Sequence, residues 1–449
     1  MRENNRNSIA SIKKLPQFTT MHVIDGQAGL IICASLIFYS LTIDNILNII
    51  VLLILAGISI QMLTGDNGIL TKAAEAKENT EQSQLEEQRR LASMEAATNL
   101  TETVYNDGEK EIKIPSGFAP TGIEGENTVE DGLVITDSKG NEFVWVEVPN
   151  DGTGPDYTGV EENNNIDFLK IAKALAIYSS STLSNNPTSL ADHLPPADKV
   201  GKDYTNEYKD VLKSIYQNGG FWVGRYETGI QGTENATTSA RDFGTDYTKE
   251  HPTTGKVAVI KENVQPYRWV RWGQAQALAQ GFLPATNNSN HANLLMGVQW
   301  DLVLKFIGKE KSVDSNSSDW GNYSDSVFNL KPGSHYAKYA SSTLSTTWKA
   351  YNEDEAGFVE ASEKKSLSSG NGILYTTGAN TNQNSKKNIC DIAGNVWEWT
   401  IEKTSNSGYP CSLRGGSFTS TGSDGPASSR GFNLTSHSNS SVGFRVSLY

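Results

Sequence analysis

The longest apolar run lies near the N-terminus. Residues 28–63 are almost entirely apolar, broken by Asp44, Asn45 and Asn48, and residues 46–63 form an uncharged stretch of eighteen. That length just spans the hydrocarbon core of a bilayer. Arg2, Arg6, Lys13 and Lys14 precede the run, and Asp66 and an acidic stretch follow it. The positive-inside rule then keeps residues 1–27 in the cytoplasm, makes residues 28–64 a single-pass anchor, and puts the C-terminal body outside the cell membrane. A cleaved signal peptide and a buried core helix are the other readings, but no small-residue cleavage site stands out. After the run, residues 71–103 are rich in Ala, Glu, Gln, Lys and Arg without Gly or Pro, which predicts a helix. Glu86 and Arg90 have favourable i, i+4 spacing. Leu85, Leu91 and Met94 are too sparse for a heptad, so residues 65–108 read as a solvated helical stalk ended by Asn106, Asp107 and Gly108.

From residue 109 the pattern shortens. Residues 133–135 and 143–146 flank the turn-rich 137–141, which predicts a β-hairpin. Tyr208, Val211, Leu212, Ile215 and Tyr216 share one helical face before Gly219 and Gly220. Residues 221–227 follow as a buried strand. "RWGQAQALAQGF" and "HANLLMGVQWDLVLKFIG" read as two further short helices, and residues 150–205 and 309–388 as polar, loop-rich insertions.

Charge and composition narrow the function classes. The formal charge is -13, with no basic cluster beyond the first twenty residues, so nucleic acid is not an expected partner. Nine Trp, 17 Tyr and 40 Gly against 20% charged residues point to a β- and loop-rich body. Three cysteines rule out a disulfide-stapled scaffold. Cys33 lies in the apolar run, which leaves Cys390 and Cys411 either as a pair or as two buried thiols.

The segments "FWVGRYETG", "VRWGQAQALAQ", "GVQWDLVLKF", "DIAGNVWEWT", "RGGSF" and "GFRV" stand in an order that resembles the formylglycine-generating, sulfatase-modifying family. The resemblance covers about three quarters of the chain and implies an α+β, C-type-lectin-like fold of small sheets, two helices and ordered loop. In the enzymes of that family two cysteines after the Gly-Gly-Ser turn bind copper; soft thiolates hold copper(I). The matching positions here are Ser420 and Gly425, and Cys411 and Cys390 precede their motifs, so no copper is expected. The six histidines, His22, His193, His251, His291, His335 and His437, show no ligand spacing. No nucleophile motif or phosphate loop appears, and the chain is not expected to be an enzyme. The same resemblance implies a structural calcium held by the side chains of Asp391 and Glu398 and the carbonyls of Gly394 and Val396, hard oxygen donors on a tight loop.

Residues 51–82 further resemble the N-terminal helix of type IV pilin-like proteins, although a Gly-Phe-Thr-Leu-Ile-Glu type processing site is absent. That implies a membrane anchor and pilus-like assembly. Half of residues 412–441 are Ser, Thr or Asn, yet strand-like fragments bracket them. This tail resembles the variable region of proteins diversified by retroelements. Residues such as Arg414, Gly415, Gly416, Pro426, Arg430 and Arg445 would be framework. The ligand-contacting positions would be Phe418, Thr419, Ser420, Thr421, Asp424, Gly425, Ser429, Gly431, Phe432, Asn433, Leu434, His437, Asn439, Ser440 and Ser441. Small hydroxyl and amide groups give adaptable hydrogen bonds, and Phe418, Phe432 and Leu434 give apolar anchors. The expected partner is a protein or other surface ligand, bound by an adhesin-like module on the cell surface.

Overall fold

The computed structural model describes residues 68–180, 187–238, 256–283, 291–308, 313–340, 343–351, 358–361, 364–368, 372–380 and 387–449. The anchor segment of residues 28–64 lies outside them. Among the described residues no helix is long and apolar enough to cross a membrane.

The chain divides into two units, Met1–Gln84 and Leu85–Tyr449. The described part of the first is the opening of helix α1 (Ile69–Thr98), almost wholly exposed, with a Lys77–Glu81 pair. Within the second unit α1 is more than a solvated stalk. Ala92 and Ala96 are buried, and Arg89 reaches Glu126 (2.8 Å) and Glu142 (2.7 Å). Arg90 pairs with Glu87 at i, i+3 rather than with Glu86. The helix also ends earlier than composition suggests. Asn106, Asp107 and Gly108 instead form the turn between strands Thr103–Asn106 and Glu111–Ile114, where Asp107 Oδ1 accepts the amides of Glu109 and Lys110.

The core of the second unit is a six-stranded sheet. Its strands are β1 (Phe118–Pro120), β2 (Val134–Asp137), β3 (Glu142–Glu147), β4 (Gly220–Gly224), β5 (Ala292–Leu294) and, from the C-terminus, β10 (Val446–Leu448). Their order is β5-β10-β4-β3-β2-β1, with every pair antiparallel. The β2–β3 hairpin is the one predicted from two apolar runs around a turn-rich connection. In β3 and β4 nearly every residue is buried, because both faces are covered. Trp145 and Trp222 sit directly opposite each other with ring centroids 5.1 Å apart. Such a cross-strand aromatic pair stabilises beyond its area.

Helix α2 (Phe168–Tyr178) packs on α3 (Thr205–Asn218), and α3 packs on β4. Helix α2 corrects the loop reading of residues 150–205. Asp167 caps it through the amides of Leu169 and Lys170, and Ile171, Ala172 and Leu175 are buried. Helix α3 buries Tyr208, Val211, Leu212 and Ile215, as its spacing predicts, and stops at Gly219 with φ 75°. Helix α4 (Trp272–Gln280) follows. Residues 292–294, expected to be helical, form strand β5 before helix α5 (Gly297–Ile307) begins. The described part of 309–388 is also more than loop. Strand His335–Ala340 pairs with Lys349–Ala350 and Ile373–Tyr375, and Tyr336, Ile373 and Tyr375 bury with Leu330, Tyr351 and Ala379 in a second small core. Aromatic residues spaced far apart in a polar stretch give no periodic signal, so this sheet is invisible in the pattern.

A second, four-stranded sheet carries the C-terminal segment. It consists of β6 (Trp397–Thr400), β7 (Cys411–Arg414), β8 (Arg430–Asn433) and β9 (Val442–Phe444), in the order β8-β7-β6-β9. Strands β6 and β9 run parallel and the other pairs antiparallel. After β9 a single residue, Arg445, carries the chain into β10 of the core sheet.

Candidate functional site

The segment between β7 and β9 is fixed through its backbone. Gly415 and Gly416 open it at φ 90° and 77°, where a side chain is strained, and a Cβ on Gly416 would lie 2.1 Å from the Gly425 carbonyl oxygen. Tyr323 donates to the Gly415 carbonyl (2.9 Å), and Ser324 donates its amide to the Ser420 carbonyl (2.8 Å). Ser317 donates its amide to the Gly422 carbonyl, and Trp300 donates to the Ala427 carbonyl (3.0 Å). Farther on, the Trp269 amide donates to Asn439 and the Trp397 amide to Ser441. Residues 313–326, read from sequence as insertion, are thus the bed on which the segment lies.

Ions lock the same segment at β7 and β8. Arg414, fully buried, meets Asp301 (2.5 Å) and Glu402 (3.6 Å). Arg430 meets the other oxygens of the same two acids, each at 2.6 Å. Burial works against the Arg430 charge, but the Glu402 and Asp301 carboxylates outweigh it and raise its pKa. Two guanidiniums facing two carboxylates leave no net charge inside, the condition under which buried ions are tolerated.

The expected contact residues separate into three groups. Thr419, Asp424, Phe432, Leu434 and Asn439 are exposed. Ser420, Thr421, Ser429, Gly431, Asn433, His437 and Ser440 are half-buried; His437 lies against Trp399, centroids 6.2 Å apart, and burial lowers its pKa. Phe418, Gly425 and Ser441 are buried. Phe418 is a correction: its ring has no exposed surface and packs among Ala337, Trp348, Leu374 and Val396. It is a core residue that pins the start of the loop. An aromatic position that sequence reading missed replaces it. Tyr409, just before β7, is exposed, and its ring lies 5.7 Å from that of Phe432. It is held by a tight loop in which its amide donates to the Asn406 carbonyl (3.0 Å).

Ser420 and Gly425, which match the family's copper-binding pair, are neighbours in space. A Cβ placed on Gly425 would lie 3.3 Å from the Ser420 Cβ. The geometry of a paired site persists while neither position carries sulfur. Cys390 and Cys411 are both free and buried, which settles their alternatives, and burial pushes each thiol up to about 12. Neither forms a thiolate near neutral pH.

The residues expected to hold calcium do not fit that ion. Both oxygens of Glu398 accept hydrogen bonds from Arg445, at 2.8 to 3.2 Å. Arg445 also donates to the carbonyls of Gly224 and Cys390, so a fixed cation already occupies the carboxylate. Asp391 accepts the Gly378 amide (2.7 Å), and Glu227 accepts from Asn395. Gly394 turns at φ 76° beneath the Asn322 backbone, where a Cβ would lie 2.1 Å from its carbonyl oxygen. Among the described residues no group of three or more His, Cys, Asp or Glu is arranged to hold a metal. The cluster is unbalanced, with three carboxylates facing one guanidinium. Burial raises Asp391 to about 7 and Glu227 well above the usual carboxylate range.

Residues 237–448 match the sulfatase-modifying factor enzyme 1-like domain. No curated protein matches the chain. Among solved structures, Treponema denticola variable protein 1 matches with 14% identity and a TM-score of 0.27, over 51% of this chain and 84% of that one. The matched span includes both edges of the C-terminal segment and two strands of the core sheet, while β1 to β4 precede it. Residues 237–448 are thus similar to a sulfatase-modifying factor enzyme 1-like domain, and the mixed helix-and-sheet body has the α+β, C-type-lectin-like fold.

Proposed function

We propose that this chain is a non-enzymatic binding protein that presents the surface of residues 419–440 to a protein or other surface ligand. One contrast carries the reading. The backbone of this segment is tied down at both ends and along its length, while Thr419, Asp424, Phe432, Leu434 and Asn439 point into solvent. The side-chain hydrogen bonds among them are local, Thr419 with Ser417 and Asn439 with Ser440 and Ser441, so exposed side chains here can be exchanged at little cost to the fold. Tyr409 and Phe432 give the surface an aromatic centre, and hydroxyl and amide groups surround it, the mixture that antibody loops use to bind proteins. The resemblance to retroelement-diversified variable regions extends this to a hypervariable adhesin. Residues 28–64 would anchor it in the membrane, with the domain outside the cell and a pilus-like assembly open to it.

The neighbouring DNA tests diversification. A reverse transcriptase gene beside a near-copy of the last roughly 40 codons, the length of the strand-bracketed tail, and differing from it chiefly at adenines, is the expected finding. Its absence reduces the protein to an ordinary adhesin. The non-enzymatic part is tested by incubating the chain with copper and a Cys-x-Pro-x-Arg peptide. Formation of formylglycine above background would refute it.

A further inference from the structure

A second surface feature, built from elements remote in sequence from the C-terminal segment, has its own chemistry. A cavity of about 250 Å³ opens between the β2–β3 turn, the strand Ala258–Val259 and the end of α4. Lys139, Lys256 and Lys261 line it. Among the described residues none of these three ammonium groups is in an ion pair or hydrogen bond, in a chain whose net charge is -13. Asp137, the one acid in the wall among the described residues, is turned inward. Its Oδ1 accepts the amides of Lys139 and Asn141, both at 2.8 Å, and its Oδ2 accepts the Asn141 side chain (2.7 Å). The Lys261 side chain reaches the β2–β3 turn, its ammonium 3.6 Å from where a Cβ on Gly140 would stand.

The lining also carries apolar surface from Val257, Leu278 and Phe282, and Val257 is half exposed. The end of α4 adds about half a negative charge, which three ammonium groups exceed. Unpaired like charges around one cavity repel each other and are relieved by an anion. Lysine recognises phosphate as a compact point charge. Apolar lining beside the ammonium groups selects an anion with a ring or hydrocarbon body.

We propose that the Lys139–Lys256–Lys261 cavity binds a small phosphate- or sulfate-bearing compound whose apolar part rests on Val257 and Phe282. Calorimetry of the full chain at low ionic strength, with phenyl phosphate, inorganic phosphate and benzyl alcohol as probes, tests this. Saturable binding of phenyl phosphate is expected, tighter than inorganic phosphate, with none for benzyl alcohol. Each of K139Q, K256Q and K261Q should weaken it about two- to fivefold, the contribution of one screened ion pair, and the triple variant should abolish it. Added salt should weaken it too. Melting temperatures should not move, because no lysine holds another group. V257S should weaken phenyl phosphate and spare inorganic phosphate, which separates the two halves of the site. Absence of saturable binding, binding that survives the triple substitution, or equal affinity for phenyl phosphate and benzyl alcohol would overturn the proposal.

Discussion

The two sheets joined at Arg445 are held by different forces. In the six-stranded sheet the buried positions are mostly apolar, among them Val134, Ile135, Phe143, Val144, Trp145, Val146, Phe221 and Val223, with Thr136, Glu142, Asn293 and Ser447 as the buried polar ones. In the four-stranded sheet Glu398, Thr400, Ser412 and Arg414 are just as buried, and ions and hydrogen bonds to neighbouring backbone hold the strands. Apolar packing is non-directional and fixes a body. Charged groups with satisfied partners fix a register, because a slipped strand leaves a charge alone. The second sheet needs that register: its loops carry the exposed side chains, and its edge strand β8 has little apolar surface to hold it.

Substitutions can break this comparison, beginning with the core. Trp145→Ala should cost about 3–5 kcal/mol, the range for a buried aromatic, and chemical denaturation should reveal a loss large enough to unfold part of the population. Arg414→Ala should cost about 3 kcal/mol, less than a fully orphaned buried pair, because Arg430 still faces Asp301 and Glu402. If the sheet depends on apolar contacts after all, Arg414→Met will be as stable as the parent. Titration gives a smaller effect with a definite sign. Burial raises Asp391 to about 7 in the folded state from an ordinary value near 3.8. The folded state therefore holds this proton more tightly than the unfolded chain. The stability it gives is complete below the unfolded value and is lost as pH rises through 7. Between pH 6 and 8 the loss should be about 1 kcal/mol, visible as a falling melting temperature that Asp391→Asn flattens. The smallest effects should come from the exposed positions. Phe432→Ser, Leu434→Ser and Asn439→Tyr should each move stability by less than about 0.5 kcal/mol, while changing capture of whatever ligand the surface binds. A loss above about 1 kcal/mol there would mean the segment supports the fold and is not free to vary.

Local patterns made several elements legible. The β2–β3 hairpin follows from two apolar runs around a polar turn, and α3 from the spacing of Tyr208, Val211, Leu212 and Ile215 ending at glycine. Helix α2 was open to the same reading through Asp167 as cap and Ile171, Ala172 and Leu175 as face, but the polar residues around it disguised it. Phe418 shows why exposure is harder to read than element type. In sequence it reads as an apolar anchor of a polar tail, and Ala337, Trp348 and Leu374, from a region without a periodic signal, join Val396 in burying it. Tyr409 errs in the other direction, an aromatic left outside because no neighbour covers it.

The sequence alone determined the motifs of the fold, the loss of sulfur at Ser420 and Gly425, and the polar character of the closing segment. These are properties of residue type and order, and no contact changes them. Tertiary structure decided that Ser420 and Gly425 are adjacent, that Glu398 pairs with Arg445, and which tail residues face solvent. Each of those depends on what lies across from a side chain, and the residues across from it are often more than a hundred positions away in the chain, as with Arg414 and Asp301 or Trp300 and Ala427.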